Sequence, residues 1–203
     1  MPFFQNTCKP KGAGGKLMVR MMNAGHASLA KWGLSHVNLR SGGSYLDIGC
    51  GGGANLKRLL QKDSAGHVTG IDYSEVSVRT SRQLNRRAIR DGRCEVFQGN
   101  VMALPFPDVS FDAVTAFETI YFWPDLRTAF RQVYRVLSGG GTFLICNESD
   151  GESAGDEKWT DIIQGMRIYT LPQIKEALED AGFTEIRADQ SGNGWLCMVC
   201  RKK

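Results

Sequence analysis

Tyr45-Leu46-Asp47-Ile48-Gly49-Cys50-Gly51-Gly52-Gly53 is the stretch that decides the fold. A short apolar run ends in a carboxylate, turns on glycines and opens a helix at Ala54. Such a turn brings backbone N–H groups and a helix N-terminus close to a ligand, with no Cβ atoms in between. Asp47 stands at the carboxyl end of the strand, the edge at which open α/β sheets bind their ligands.

Downstream of that loop, strand and helix patterns alternate. The first strand, Ser44 to Ile48, is followed by a helix from Ala54 to Gln61. A second strand, His67 to Ile71, ends at Asp72. Ser74 then caps a helix expected to run unbroken to Arg90, with Val76, Thr80, Leu84 and Ala88 on its buried face. Arg79, Arg82, Arg86 and Arg90 lie opposite as a solvated face, helped by Glu75 four residues before Arg79. The third strand is Cys94 to Gln98 and the fourth Phe111 to Phe117. Asp125 caps a helix to Leu137, Gly139-Gly140-Gly141 turns into a fifth strand from Thr142 to Asn147, and Glu148 to Lys158 is an acidic loop. Thr170 caps a helix from Pro172 to Ala181. Two last strand-like runs, Phe183 to Asp189 and Trp195 to Cys200, flank an Asn-Gly turn that signals a hairpin. Five strands alternating with helices, then a hairpin, make a doubly wound, Rossmann-like α/β sheet: seven strands, mostly parallel, with an antiparallel C-terminal pair.

Upstream, residues 1–15 have the composition of a flexible lead-in. From Lys16, apolar residues at Leu17, Met18, Met21, Met22, Leu29 and Trp32 keep helical spacing, and Gly25 is the weak point where that helix kinks or splits. A helix placed before the first strand must cover something. It either packs on the domain edge or closes over the ligand, with its methionines adapting to it. The expected division is a helical flap over residues 1–40 and a ligand-binding domain over 41–203.

The bulk numbers narrow the class. A chain of 203 residues, 42% hydrophobic and 23% charged, suits one globular domain. Its formal charge of +4 is far from that of a dedicated nucleic-acid binder. No apolar run approaches the roughly 18–20 residues of a membrane span, and the start lacks the basic-then-apolar order of a signal peptide, so the cytoplasm is expected. The six cysteines suit reduced thiols. Cys197 and Cys200 form a C-x-x-C, but residues three apart on a strand face opposite ways, and no metal site is expected.

Two ligands compete for the glycine loop. Gly49-Cys50-Gly51-Gly52-Gly53-Ala54 satisfies the dinucleotide pattern G-x-G-x-x-A, and equally a G-x-G-x-G preceded by an acid. Asp72 supplies a ribose partner in either case. A pyrophosphate would be repelled by Asp47 in the same crevice, whereas a ligand with a cationic centre and an α-amino group would be attracted. The C-terminal hairpin is foreign to the dinucleotide fold, and no second domain is left for a hydride donor's substrate.

The motifs together decide it. Residues Tyr45 to Gly53, Gly70-Ile71-Asp72-Tyr73-Ser74, Gly99-Asn100-Val101-Met102-Ala103-Leu104-Pro105-Phe106, Phe111-Asp112-Ala113-Val114 and Leu137-Ser138-Gly139-Gly140-Gly141 resemble those of the class I S-adenosylmethionine-dependent methyltransferases. The resemblance is to the subgroup that methylates quinone precursors and other small molecules, and it covers residues 44–200. It implies that Asp47, Gly49 and Gly51 face the methionine part of S-adenosylmethionine, that Asp72 takes both ribose hydroxyls and that Tyr73 flanks the adenine. Asn100, where the family often has Asp, and Val101 would meet the adenine edge, with Phe117 and Glu118 beside the methyl group. The implied activity is methyl transfer to an O, N, S or C nucleophile of a small molecule, by a monomer or homodimer. A nicotinamide-dependent oxidoreductase and a non-catalytic cofactor-binding protein are the alternatives. No residue declares itself the catalytic base. His26, Tyr121 and Tyr169 are the candidates, with Trp123 and Trp159 as further pocket residues.

Overall fold

The computed structural model describes residues 5–8, 10, 12–152 and 155–203. Strand alternation in β1 (Ser44–Ile48) sets up two cores, because side chains two apart share a face. Leu46 and Ile48 join one buried cluster, and Tyr45 joins the other. The same alternation runs along β4 (Phe111–Phe117), where Val114 and Ala116 face the first cluster and Ala113 and Phe117 the second.

The remaining strands are β2 (His67–Asp72), β3 (Cys94–Gln98), β5 (Leu137–Asn147), β6 (Thr184–Gln190) and β7 (Leu196–Arg201). They form one seven-stranded sheet in the order β3-β2-β1-β4-β5-β7-β6. β1 to β5 are parallel, and β7 runs antiparallel to both β5 and β6. This is the expected doubly wound sheet with its closing hairpin. The order reverses at β1, whose parallel neighbours are β2 and β4, and ligands bind at such a switch point. β5 begins earlier than expected, since the triple glycine lies within it; the register with β4 slips between the Phe111↔Leu137 and Ala113↔Thr142 pairs.

Helices α1 (Gln5–Cys8), α2 (Gly12–Gly25) and α3 (Ala27–Ser35) precede the sheet. The lead-in expected over 1–15 falls partly outside the described residues; where it is described, Gln5–Cys8 and Gly12 onward are helical instead. The long helical pattern does split at Gly25, between α2 and α3. Leu29, Ala30, Leu34 and Val37 are buried in the same cluster as Tyr45 and Leu56. Gly33 lets α3 approach β5 closely: a Cβ there would stand 2.7 Å from the Cys146 sulfur.

After β1 comes α4 (Ala54–Lys62), and after β2 come α5 (Glu75–Leu84) and α6 (Arg86–Arg90). The unbroken helix expected here is interrupted at Asn85, whose amide donates to the carbonyls of Gly53 (3.0 Å) and Ser81 (3.1 Å). Its face is also rotated from the expected one: Val76, Ser77, Val78 and Ser81 are buried, and Leu84 is exposed. The close approach of the Gly53 turn to α5 is the reason, because a Cβ on Gly53 would lie 2.3 Å from Ser81 Oγ. The expected Glu75–Arg79 pair forms at 3.0 Å on the solvated face.

A 3-10 turn (Ile120–Phe122), α7 (Leu126–Val136), α8 (Asp156–Ile162) and α9 (Leu171–Asp180) complete the chain. Asp125 caps α7 by accepting from Thr128 N–H at 2.6 Å, and Thr170 caps α9 in a reciprocal pair with Gln173. α8 lies partly within the stretch expected to be an acidic loop. Cys197 and Cys200 sit in different clusters, on opposite faces of β7, as the spacing implies, and all six cysteines are free.

Candidate active site

A cavity of about 390 Å³ opens at the carboxyl edge of β1, β2 and β4, within the roughly 300–1,000 Å³ of small-molecule sites. Its floor is the glycine loop, built so that no side chain intrudes. Gly49 has φ +70°, and a Cβ on it would fall 2.1 Å from Thr119 Oγ1 after β4. A Cβ on Gly52 would fall 2.3 Å from Asn23 Nδ2 and 2.6 Å from Val19 Cγ1, so α2 lies directly on the loop.

The loop's own N–H groups are largely spent inside the protein. Those of Gly49 and Cys50 donate to Ile71 O at 2.8 and 3.1 Å, that of Gly53 to Cys50 O, and that of Gly51 to Asp72 Oδ2 at 2.9 Å. A pyrophosphate needs such donors free and aimed outward. Here the loop offers carbonyls and bare Cα atoms beside a carboxylate, which suits a cation better than an anion.

Asp72 lies on the cavity wall at the end of β2. Besides Gly51 N–H it accepts Ser74 N–H at 2.8 Å, so each carboxylate oxygen is fixed by one backbone donor and can still accept another. Burial pushes its pKa up. Asp47 is placed differently from the expectation that it faces the ligand. Strand alternation turns it to the Tyr45 side, away from the wall, where it is 1% exposed. Its Oδ1 accepts from the hydroxyl of Thr115, its register partner on β4, at 2.6 Å, while Oδ2 is buried without a partner. Burial, with Asp72 nearby, pushes its carboxyl up to about 7.

Tyr73, Asn100, Val101, Phe117 and Glu118 all line the cavity with Gly49, Gly51 and Asp72. The Tyr73 hydroxyl donates to the Cys8 carbonyl, tying α1 to the rim. Asn100 spends one lone pair of its Oδ1 on Met102 N–H at 3.0 Å. Glu118 has a left-handed backbone, φ +56°. Its Oε1 accepts from Glu148 N–H and, at 3.2 Å, from the Tyr121 hydroxyl. Burial, and the carboxylate of Glu148, push Glu118 up to about 8.

Of the catalytic candidates, only His26 reaches the wall, from the junction of α2 and α3. Its Nε2 lies 4.0 Å from Glu118 and 3.9 Å from Glu148, and burial lowers its pKa. Tyr121 is 3% exposed and stands behind the wall, where it holds Glu118 and accepts Ser149 N–H at 3.1 Å. Tyr169 is partly buried against the first core cluster, and Trp159 lies exposed on α8; neither lines the cavity. Trp123 does, donating its indole N–H to Thr119 Oγ1 at 3.3 Å. The wall also includes Asn23, Asn55 and Arg58, which no motif in the sequence singles out. Arg58 and Asn55 lie in the first turns of α4, directly after the glycine loop, and that position is the one local signal that marks them.

S-Adenosylmethionine fits this donor set: a wall carboxylate with acceptor capacity left, an orphaned buried acid behind the loop, and glycines whose Cβ atoms would collide. Residues 46–145 match the methyltransferase domain family. The 24-methylenesterol C-methyltransferase 2 of Arabidopsis thaliana is 33% identical over 148 residues, covering 71% of this chain and 41% of the plant protein. The 27-O-demethylrifamycin SV methyltransferase of Amycolatopsis mediterranei is 34% identical over 150 residues, covering 71% of this chain and 55% of that one. The chain thus spans about half the length of these relatives. Among solved structures, the complex between the Haloferax volcanii Trm112 methyltransferase activator and its methyltransferase superposes with a TM-score of 0.83 at 23% identity, over 92% of this chain and 93% of that one. At that identity the likeness carries the fold alone. Fold, glycine loop and sequence kinship agree: the chain belongs to the S-adenosylmethionine-dependent methyltransferases of the methyltransferase domain family.

Proposed function

We propose that this protein transfers a methyl group from S-adenosylmethionine to an oxygen, nitrogen, sulfur or carbon nucleophile of a small molecule. The observation that carries this is the glycine loop, whose N–H groups are turned inward onto Ile71 O and Asp72. That arrangement disfavours a diphosphate, and with it the nicotinamide alternative. Asp72 accepts the ribose hydroxyls, Tyr73, Asn100 and Val101 border the adenine, and Gly49 and Gly51 leave room for the methionine part. When bound, the cofactor supplies an electrophilic methyl group.

The chain's own residues hold the acceptor in line, within roughly 3–3.5 Å, and keep water out. Phe117, Phe122 and Trp123 give that side of the cavity an apolar wall. α2, seated on Gly52, acts as a cover through Val19, Met22 and Asn23. The test is transfer of labelled methyl from S-adenosylmethionine into fractionated metabolites. A labelled product that disappears with Asp72→Ala supports the reading. Cofactor binding without any labelled product would favour a sensor.

A further inference from the structure

His26, Glu118 and Glu148 converge from three separate elements on one side of the cavity, and hydrogen bonds within the protein leave their facing atoms unused. His26 comes from the α2–α3 junction, Glu118 from the end of β4, and Glu148 follows the last residue of β5. Their nearest ligand atoms all lie within 4.8 Å of one another. Glu118 reaches this position in a left-handed conformation that side chains rarely adopt, and the Tyr121 hydroxyl and Glu148 N–H fix its other oxygen. His26 precedes α3 but makes no side-chain cap to it, so its ring is free for other work.

We infer that His26, Glu118 and Glu148 form a binding site for a divalent cation of the Mn2+ or Zn2+ type. One imidazole and two carboxylates are a donor set for such ions, with ligand distances of roughly 2.0–2.2 Å. Ligands at those distances stand about 2.8–3.1 Å apart in octahedral and about 3.3–3.6 Å apart in tetrahedral geometry. The observed separations, 3.9 and 4.0 Å to His26 and none above 4.8 Å within the cluster, must shorten on binding, with the exposed Glu148 side chain free to move furthest. Two acids facing each other across a neutral imidazole repel until a cation lies between them. Burial, and the facing Glu148 carboxylate, raise the pKa of Glu118, and burial lowers that of His26.

Three protein ligands leave positions open toward the cavity, which His26 and Glu118 both line. A hydroxyl or enol oxygen of the acceptor fits there, since a bound cation stabilises its deprotonated form. The inference thus deepens the methyl-transfer reading by naming an oxygen acceptor. It rests on that reading only for the acceptor's role.

Titration of the full chain with Mn2+ alone, followed by electron paramagnetic resonance, tests it without any cofactor. One saturable site per chain is expected, displaced by Zn2+. Glu148→Gln, Glu118→Gln and His26→Gln should each weaken it by about tenfold or more. Glu148 is half-exposed and the change is isosteric, so that variant stays folded even if Glu118→Gln does not. Asp72→Asn should retain the Mn2+ site while losing S-adenosylmethionine. Absence of saturable Mn2+ binding, or binding indifferent to all three substitutions, overturns the site. Methyl transfer by a chain that binds no Mn2+ would sink the cation and leave the enzyme; Mn2+ binding by a chain that ignores S-adenosylmethionine would do the reverse.

Discussion

The cavity has two acidic sides, and they are built differently. At the ends of β1 and β2, Asp72 is fixed by two backbone N–H donors and Asp47 by the Thr115 hydroxyl. At the ends of β4 and β5, Glu118 and Glu148 face each other and His26, and only one oxygen of Glu118 is fixed by donors. The first side is held by fixed donors, main-chain N–H groups for Asp72 and the Thr115 hydroxyl for one oxygen of Asp47. The second keeps charge and lone pairs uncommitted. A site that must hold one constant ligand and one variable ligand gains from that split, because backbone bonds fix the first and adjustable side chains meet the second.

The seam between the sides is where the comparison breaks most easily. Gly49→Val should abolish cofactor binding and destabilise the fold by at least about 3 kcal/mol, because φ +70° and a Cβ 2.1 Å from Thr119 Oγ1 leave no room. Thermal unfolding and calorimetry check it; a stable, ligand-binding variant would mean the two sides are not in contact. Asp72→Ala should cost about 2–3 kcal/mol of cofactor affinity through its lost charge-assisted hydrogen bonds, with Mn2+ binding on the other side unaffected.

The first side also leaves a signature in pH. Asp47 has its carboxyl raised to about 7 from an ordinary 3.8, so the folded state holds that proton more tightly than the unfolded state. Its contribution to stability is therefore complete below about pH 4 and is lost as pH rises through about 7. Asp47→Asn should flatten that slope, by about 4 kcal/mol between pH 4 and 8, as denaturant midpoints would record. An unchanged slope would place the titration elsewhere. The smallest effect is expected at the cover. Gly52→Ala pushes against Asn23 and Val19 and should weaken cofactor binding by about 1 kcal/mol with little change in melting temperature. If affinity is unchanged, α2 is not a cover.

The same contrast decides what is legible in the sequence. β1, β2 and the glycine loop are contiguous and carry their chemistry in local spacing, so Asp72, Gly49 and Gly51 stand out from the order of residues alone. The motif points Asp47 at the ligand, whereas its parity with Tyr45 along β1 puts it behind the wall. The opposite side depends on residues far apart in the chain. Glu148 meets His26 only because β5 ends beside β4 and α3 packs across β5. Tyr121 illustrates the limit: its position after β4 is visible in the sequence, but its burial behind Glu118 is not. Asn85 breaks a helix that its local pattern continues, because its amide is needed by Gly53 across the interface.

The central claim is that the cavity accepts a sulfonium nucleoside and not a dinucleotide. Isothermal calorimetry of the full chain with S-adenosylmethionine and, separately, with NAD+ tests it most directly. The account predicts one saturable S-adenosylmethionine site per chain, strongly weakened by Asp72→Ala, and no heat of binding from NAD+. Saturable NAD+ binding, or S-adenosylmethionine affinity that Asp72→Ala leaves untouched, would contradict it.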